Sequence, residues 1–175
     1  RMPVSVNLPT RLLDDPQLPD QLCNLVANHG VPVEDITFEL LDDDTTSAPG
    51  QYYLGASRLR LKGFGLAQDE YCKGHGSVHK LISTPFTELK LDRALVSGAC
   101  DDETRAAALV SSVQLGRQLG LQVTAQGVDS TKDLEFLRQI GCDCAQGYLI
   151  SAAINAHSFT DLLADEPRPY ALHPL

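Results

Sequence analysis

LAQDEYCKGHGSVHKLISTPFTELKLD, residues 66–92, holds a strand end, a loop, a helix and a second strand in one continuous stretch. The apolar run that begins at Phe64 ends at Asp69 and is followed by glycine and polar residues. Ser77 to Ile82 then takes helical spacing, and Glu88 to Leu91 is a short apolar run carrying Lys90, with Asp92 just after it. A strand joined to a strand through a helix is a βα crossover, which makes the two strands parallel. Both strands end in ionisable residues, at the sheet edge where open or closed α/β folds bind ligands.

The same alternation extends outward in both directions. Further strands are expected at Val4 to Leu8, Ile36 to Leu40, Gln122 to Ala125 and Asp143 to Ala145. Further helices are expected near Leu18 to Asn28, Gly50 to Leu61, Glu103 to Leu119, Lys132 to Ile140 and Ala156 to Leu163. Gly30, Gly63, Gly120 and Gly141 each follow a helix and precede a strand, where a residue that accepts positive φ ends the helix cheaply. At the six strand ends stand Asn7, Glu39, Asp69, Lys90 with Asp92, Gln126 and Gln146. Any one of them has an ordinary reading: Asn7 caps a turn, Glu39 opens the acidic run Asp42 to Asp44, Lys90 and Asp92 form a solvated pair. Six in succession, all of types that bind metals or phosphates, favour a site.

Composition narrows the class. With 43% hydrophobic and 21% charged residues, the 175-residue chain suits one globular domain. Its longest apolar runs, such as Ala106 to Val110, are far shorter than the roughly 20 residues of a bilayer span, and no signal-peptide pattern opens the chain, so a cytoplasmic domain is expected. A formal net charge of −9 argues against DNA or RNA as a partner and requires a local cationic device for any anionic ligand. The five cysteines, Cys23, Cys72, Cys100, Cys142 and Cys144, are odd in number and lack zinc-clip spacing; reduced thiols are expected, with Cys142 and Cys144 buried in a strand. His75 and His79 stand four apart, but no glutamate follows His75 as a metalloprotease helix would need. Leu109, Val110, Val113, Leu115 and Leu119 are expected to form a core face.

Residues 66–92 resemble the EAL-domain stretch L-x-x-D-D-F-G-T-G-x-S-S-L followed by P-x-x-x-L-K-I-D, without a gap between Asp69 and Lys90. VSVNL at Asn7, FELLDD for L-E-x-T-E-S, TAQGVDS for A-E-G-V-E-T and GCDCAQGYLIS for G-C-D-x-x-Q-G-Y-x-x-S extend the resemblance over Val4 to Ser151. The resemblance implies a TIM-barrel-like (β/α)8 fold, of which about six βα units are present and the N-terminal part is missing. Residues 1–165 would be a partial EAL domain and 166–175 a proline-rich tail. It implies Mg²⁺ or Mn²⁺ as cofactors, cyclic di-GMP as ligand and hydrolysis to pGpG, with other signalling domains or a second copy of the chain as partners. Carried over position by position, Asn7, Glu39, Asp69 and Glu70 would be metal ligands, Lys90 and Gln126 catalytic positions, and Gln146 and Asp92 ligand-binding ones.

The departures gather in one place. No Glu-Ala-Leu triplet occurs in the chain, so the strand expected to carry that glutamate lies before Arg1 or is absent. Glu70 replaces the second aspartate of the pair, and Asp42 replaces a glutamate that braces a loop. The loop F-G-T-G becomes Tyr71, Cys72, Lys73, Gly74, losing a glycine and gaining a cation. Gln126 stands where the family has glutamate, and an amide neither takes up a proton as a base nor supplies a full charge to a metal. Two readings follow: a regulatory or receptor module with a degenerate site, or a metal-dependent cyclic di-GMP phosphodiesterase.

Overall fold

The computed structural model describes residues 3–40, 49–72 and 78–164. Asp42 to Asp44, Lys73, Gly74, His75 and the expected tail 166–175 lie outside the described residues. The chain forms two compact units, one of residues 1–90 with 119–121, the other of 91–118 with 122–175.

In the first unit the chain runs β1 (Val4–Leu8), a 3-10 turn at Thr10–Asp14, α1 (Leu18–Asn28), a 3-10 turn at Val33–Asp35, and β2 (Ile36–Leu40). It continues through α2 (Pro49–Leu61), β3 (Gly65–Tyr71), α3 (Val78–Ser83) and β4 (Glu88–Leu91), whose last residue falls in the second unit. β1 pairs with β2 and β2 with β3, all parallel, so that Asn7 faces Glu39 and Glu39 faces Ala67 across the ladder. Gly63 shows why the helix-ending glycines are where they are. It takes φ +101° after α2, letting its N–H reach the Arg60 carbonyl at 3.0 Å while the Phe64 N–H reaches that of Leu59 at 3.3 Å. Phe64 then packs its ring on Phe38 of β2, centroids 5.0 Å apart, over a core shared with Leu40, Leu59, Leu66 and Leu89. Such tilted aromatic pairs add about 0.5–1.5 kcal/mol beyond the area they bury.

The second unit holds α4 (Arg93–Val96), a 3-10 turn at Ala99–Asp101, α5 (Glu103–Gln118), β5 (Gln122–Gln126), α6 (Thr131–Gln139), β6 (Cys144–Gln146) and α7 (Ala156–Ala164). β5 and β6 are parallel, with Gln126 opposite Gln146. Ser130 caps α6 through the Asp133 N–H at 3.1 Å, and the Asp133 carboxylate accepts the Ser130 hydroxyl at 2.7 Å and the Gly98 N–H at 3.1 Å. That reciprocal cap ties the Gly98 turn to α6 and satisfies a buried carboxylate. Leu109 and Val113 of α5 are fully buried with Val123, Leu134 and Leu137. Leu119, expected on the same core face, is 38% exposed because α5 ends before it.

Strand order follows the chain, β1-β2-β3-β4-β5-β6, the parallel arrangement expected of six consecutive βα units. All six expected strands and all six expected helices are present, with shifts of one or two residues. β3 runs to Tyr71 rather than stopping at Asp69, and β6 starts at Cys144, so Cys142 precedes the strand instead of sharing its face. The short α4 and the three 3-10 turns went unread because segments of three to five residues carry no periodicity. Among the described residues no helix is long and apolar enough to cross a membrane.

None of the five cysteines is in a disulfide. The Cys142 thiol, fully buried and donating to the Val123 and Cys144 carbonyls at 3.4 Å, is pushed up to about 12 by burial. Its folded value lies above the unfolded one, so the stabilisation is complete below the ordinary thiol value of about 8.5 and is lost as pH climbs toward the folded value. Native protein treated with iodoacetamide at mildly alkaline pH is therefore expected to alkylate at exposed Cys72 and to spare Cys142 until it is unfolded. Peptide mass mapping reads the order, and early labelling of Cys142 would contradict its burial.

Candidate functional site

The first unit brings Asn7, Glu39, Asp69 and Lys90 to the C-terminal ends of β1, β2, β3 and β4. Asn7 is in register with Glu39, and Glu39 with Ala67, so all three share a face of the sheet. Asp69, two residues beyond Ala67, returns to that face by strand alternation. The Lys90 ammonium donates to Glu39 Oε1, closing an ion pair whose side chains are only 5% and 12% exposed. Leu89 and Leu91 on either side of Lys90 are fully buried, so β4 is covered on both faces and the lysine has almost no access to water. Removing one partner of such a pair strands the other charge, at about 3–5 kcal/mol.

Asp69 is likewise buried, at 6% exposure, whereas Asn7 is exposed and Glu70 half-buried. Past Asp69 the backbone turns left-handed twice at residues that are not glycine, at Glu70 (φ +50°) and Cys72 (φ +75°). Between them the Tyr71 phenol is buried, which raises its pKa above the ordinary value. Position 72 is where the related motif places glycine, so the substitution there puts a Cβ into a conformation that costs an L-residue about 1–2 kcal/mol.

The oxygen donors of this face suit a hard divalent cation. Two carboxylates and an amide oxygen make a mixed set that would leave several positions to water, as Mg²⁺ prefers. Among the described residues no group of three His, Cys, Asp or Glu side chains is placed to hold a metal ion. Lys90 already supplies a positive charge at Glu39. The donor types are those a hard divalent ion takes, and one of the carboxylates already has an ammonium beside it.

The second unit has a cleft of about 390 Å³, lined by Arg93, Gln126, Asp129, Gln146, Tyr148 and Ser151 among others. Gln126 and Gln146 end β5 and β6 side by side. Arg93 Nη2 pairs with Asp129 Oδ2 at 2.7 Å, and Asp129 Oδ1 accepts the Tyr148 N–H at 3.2 Å, so one carboxylate fixes both the cation and the loop after β6. Val128 N–H donates to the Gln146 carbonyl at 3.0 Å and Leu149 N–H to that of Val128 at 3.2 Å. The two loops run so close that a Cβ on Gly147 would fall inside the Val128 main chain. The Tyr148 ring is left 71% exposed at the cleft.

Asp92 directly follows β4. Its carboxylate accepts the Ala94 N–H at 2.7 Å and caps α4, which places the following Arg93 at the cleft. Arg93, Asp129 and Tyr148 were not singled out from the sequence. Their signal was weak but present: each lies within three residues of a strand-end residue that was.

The sequence profile of the EAL domain matches residues 1–153. The cyclic di-GMP phosphodiesterase RocR of Pseudomonas aeruginosa is 31% identical over 144 residues, covering 82% of this chain and 37% of RocR. The chain thus spans little more than a third of that relative's length. The solved PaMucR phosphodiesterase in complex with c-di-GMP superposes with TM-score 0.80 at 27% identity, over 90% of this chain and 64% of that one. The EAL domain of Mycobacterium smegmatis DcpA superposes with TM-score 0.87 at 23% identity, over 93% and 73%. These structures share the TIM-barrel-like fold, of which the six strands here are an incomplete part.

Cys72→Gly is expected to stabilise the fold by about 0.5–1 kcal/mol, the relief of left-handed strain less the entropy glycine brings to the unfolded chain. Urea unfolding measures it as a higher midpoint at unchanged slope; a lower midpoint would show that the Cys72 side chain contributes more than its backbone costs.

Proposed function

The chain belongs to the EAL domain family, and from that premise we propose that it is a cyclic di-GMP signalling module whose altered site binds the dinucleotide as a regulatory receptor rather than turning it over. The observation that carries this reading is Gln126. It ends β5 with its side chain at the cleft, in the position where the family motif has a carboxylate. An amide offers hydrogen bonds to a ligand but no proton-accepting capacity and no charge.

The cleft's remaining chemistry suits a purine dinucleotide. In a chain of net charge −9, Arg93 is the cation at the cleft that can meet a phosphate, and Asp129 and the Asp92 cap hold it in place. Exposed Tyr148 offers a ring face for a base, and Gln146 both donors and acceptors for its edge. Occupancy would be passed on through other signalling domains or a second copy of the chain.

Asn7, Glu39, Asp69 and Lys90 favour the second reading, a phosphodiesterase giving pGpG. A Mg²⁺ or Mn²⁺ ion held by Asn7, Glu39 and Asp69, with Glu70 beside them, would supply Lewis-acid polarisation of the phosphoryl group and an acidified water. The chain's own contribution there would be to hold Lys90 beside Glu39, where a buried ammonium orients a proton donor or acceptor.

Calorimetric titration with cyclic di-GMP, with and without Mn²⁺, followed by chromatography of the nucleotide, separates the readings. The receptor reading expects saturable heat and unaltered dinucleotide. It also expects Arg93→Ala to weaken binding about tenfold or more, the value of one charge-assisted hydrogen bond. Rapid release of pGpG by the unsubstituted chain would establish the enzyme instead, and neither heat nor product would exclude both.

A further inference from the structure

Lys90 and Glu39 are an unusual pair to find in the middle of an apolar strand set. β4 is buried along its whole length, so the lysine cannot extend to water, and its side chain is 5% exposed. Register supplies the route by which it reaches Glu39. β3 lies between β2 and β4, and the residue of β3 opposite Glu39 is Ala67, fully buried and with only a methyl group on that face. From the far side of β3 the ammonium thus meets the same carboxylate that the oxygen-donor face would offer a divalent ion.

We propose that Lys90 is the resident cation of the Asn7–Glu39–Asp69 face: it neutralises Glu39 when no metal is bound and competes with a divalent ion for that carboxylate. The proposal rests on the family-derived reading of Asn7, Glu39 and Asp69 as metal-holding residues. Two consequences follow from charge balance. The metal-free fold is stable because a buried carboxylate has an internal partner, and metal affinity is held low because the ion must displace that partner from an oxygen. Removing the ammonium should reverse both at once.

The test uses Mn²⁺ alone, without nucleotide, on the full chain and on Lys90→Met, which keeps an unbranched apolar stem and loses the charge. Two quantities are read: the Mn²⁺ binding isotherm and the midpoint of thermal unfolding. Lys90→Met is expected to melt about 5 °C or more below the parent without metal, to bind Mn²⁺ at least about tenfold more tightly, and to regain the lost midpoint when Mn²⁺ is saturating. Should Lys90→Met fail to fold alone, the proposal requires Mn²⁺ to fold it. In either case the double variant Lys90→Met/Glu39→Gln, which buries no charge in place of the pair, must fold without metal and bind Mn²⁺ no better than the parent. Unchanged or weaker Mn²⁺ binding by a folded Lys90→Met overturns the proposal. So does a Lys90→Met chain that Mn²⁺ does not rescue. A chain that meets these expectations yet gives no heat with cyclic di-GMP would keep this inference and lose the receptor reading, so the two fail separately.

Discussion

The ion pair between Lys90 of β4 and Glu39 of β2 is the constraint around which the first unit is arranged. A charged pair with so little solvent contact is tolerated only when both partners are placed accurately, because each alone carries the full cost of a buried ion. Parallel pairing supplies that accuracy. It sets Glu39 beside Asn7 on one side and beside Ala67 on the other. The apolar residues that alternate with the charged ones, Phe38 and Leu40 around Glu39 and Leu89 and Leu91 around Lys90, point to the opposite face and fill the core. One strand pattern therefore builds the hydrophobic layer and, on its other face, the charged one.

The second unit solves its own electrostatic problem at the surface. Asp129 fixes Arg93 and the Tyr148 backbone together, glycine at 147 lets the loops after β5 and β6 approach closely, and glycine at 127 leaves room for the Arg93 side chain. An exposed ion pair of this kind contributes little to stability, about 0–1 kcal/mol. Its value lies in holding a guanidinium ready at a cleft that is otherwise acidic or neutral. Where the first unit's cation is locked inside the fold, the second unit's is available to a ligand.

The strand ends were the most legible part of the sequence, because period and glycine punctuation locate them without any knowledge of the fold. Glu39, Lys90, Gln126 and Gln146 each stand at or one residue from the end of a strand, where the apolar runs placed them. Other features depend on contacts that no local pattern encodes. That Asp129 would join Arg93 to Tyr148 required the chain to bring together residues 36 and 19 positions apart in sequence. The left-handed backbone at Cys72 became readable only through the resemblance, since nothing in a cysteine announces positive φ. Leu119 was misplaced for a related reason: helical spacing continues past Gln118, but the helix does not.

Family membership and an intact ion pair are compatible with either binding or hydrolysis. The Lys90–Glu39 pair bears on the hydrolytic reading, because it decides how much of the carboxylate is open to a metal ion. The most direct measurement is nuclear magnetic resonance of the lysine side-chain ammonium groups in ¹⁵N-lysine-labelled protein, with Lys90→Met as the assignment control. The account predicts a Lys90 ammonium signal protected from exchange with water and shifted selectively as diamagnetic Mg²⁺ is added. A Lys90 signal broadened away by rapid exchange, or one indifferent to saturating Mg²⁺, would contradict it.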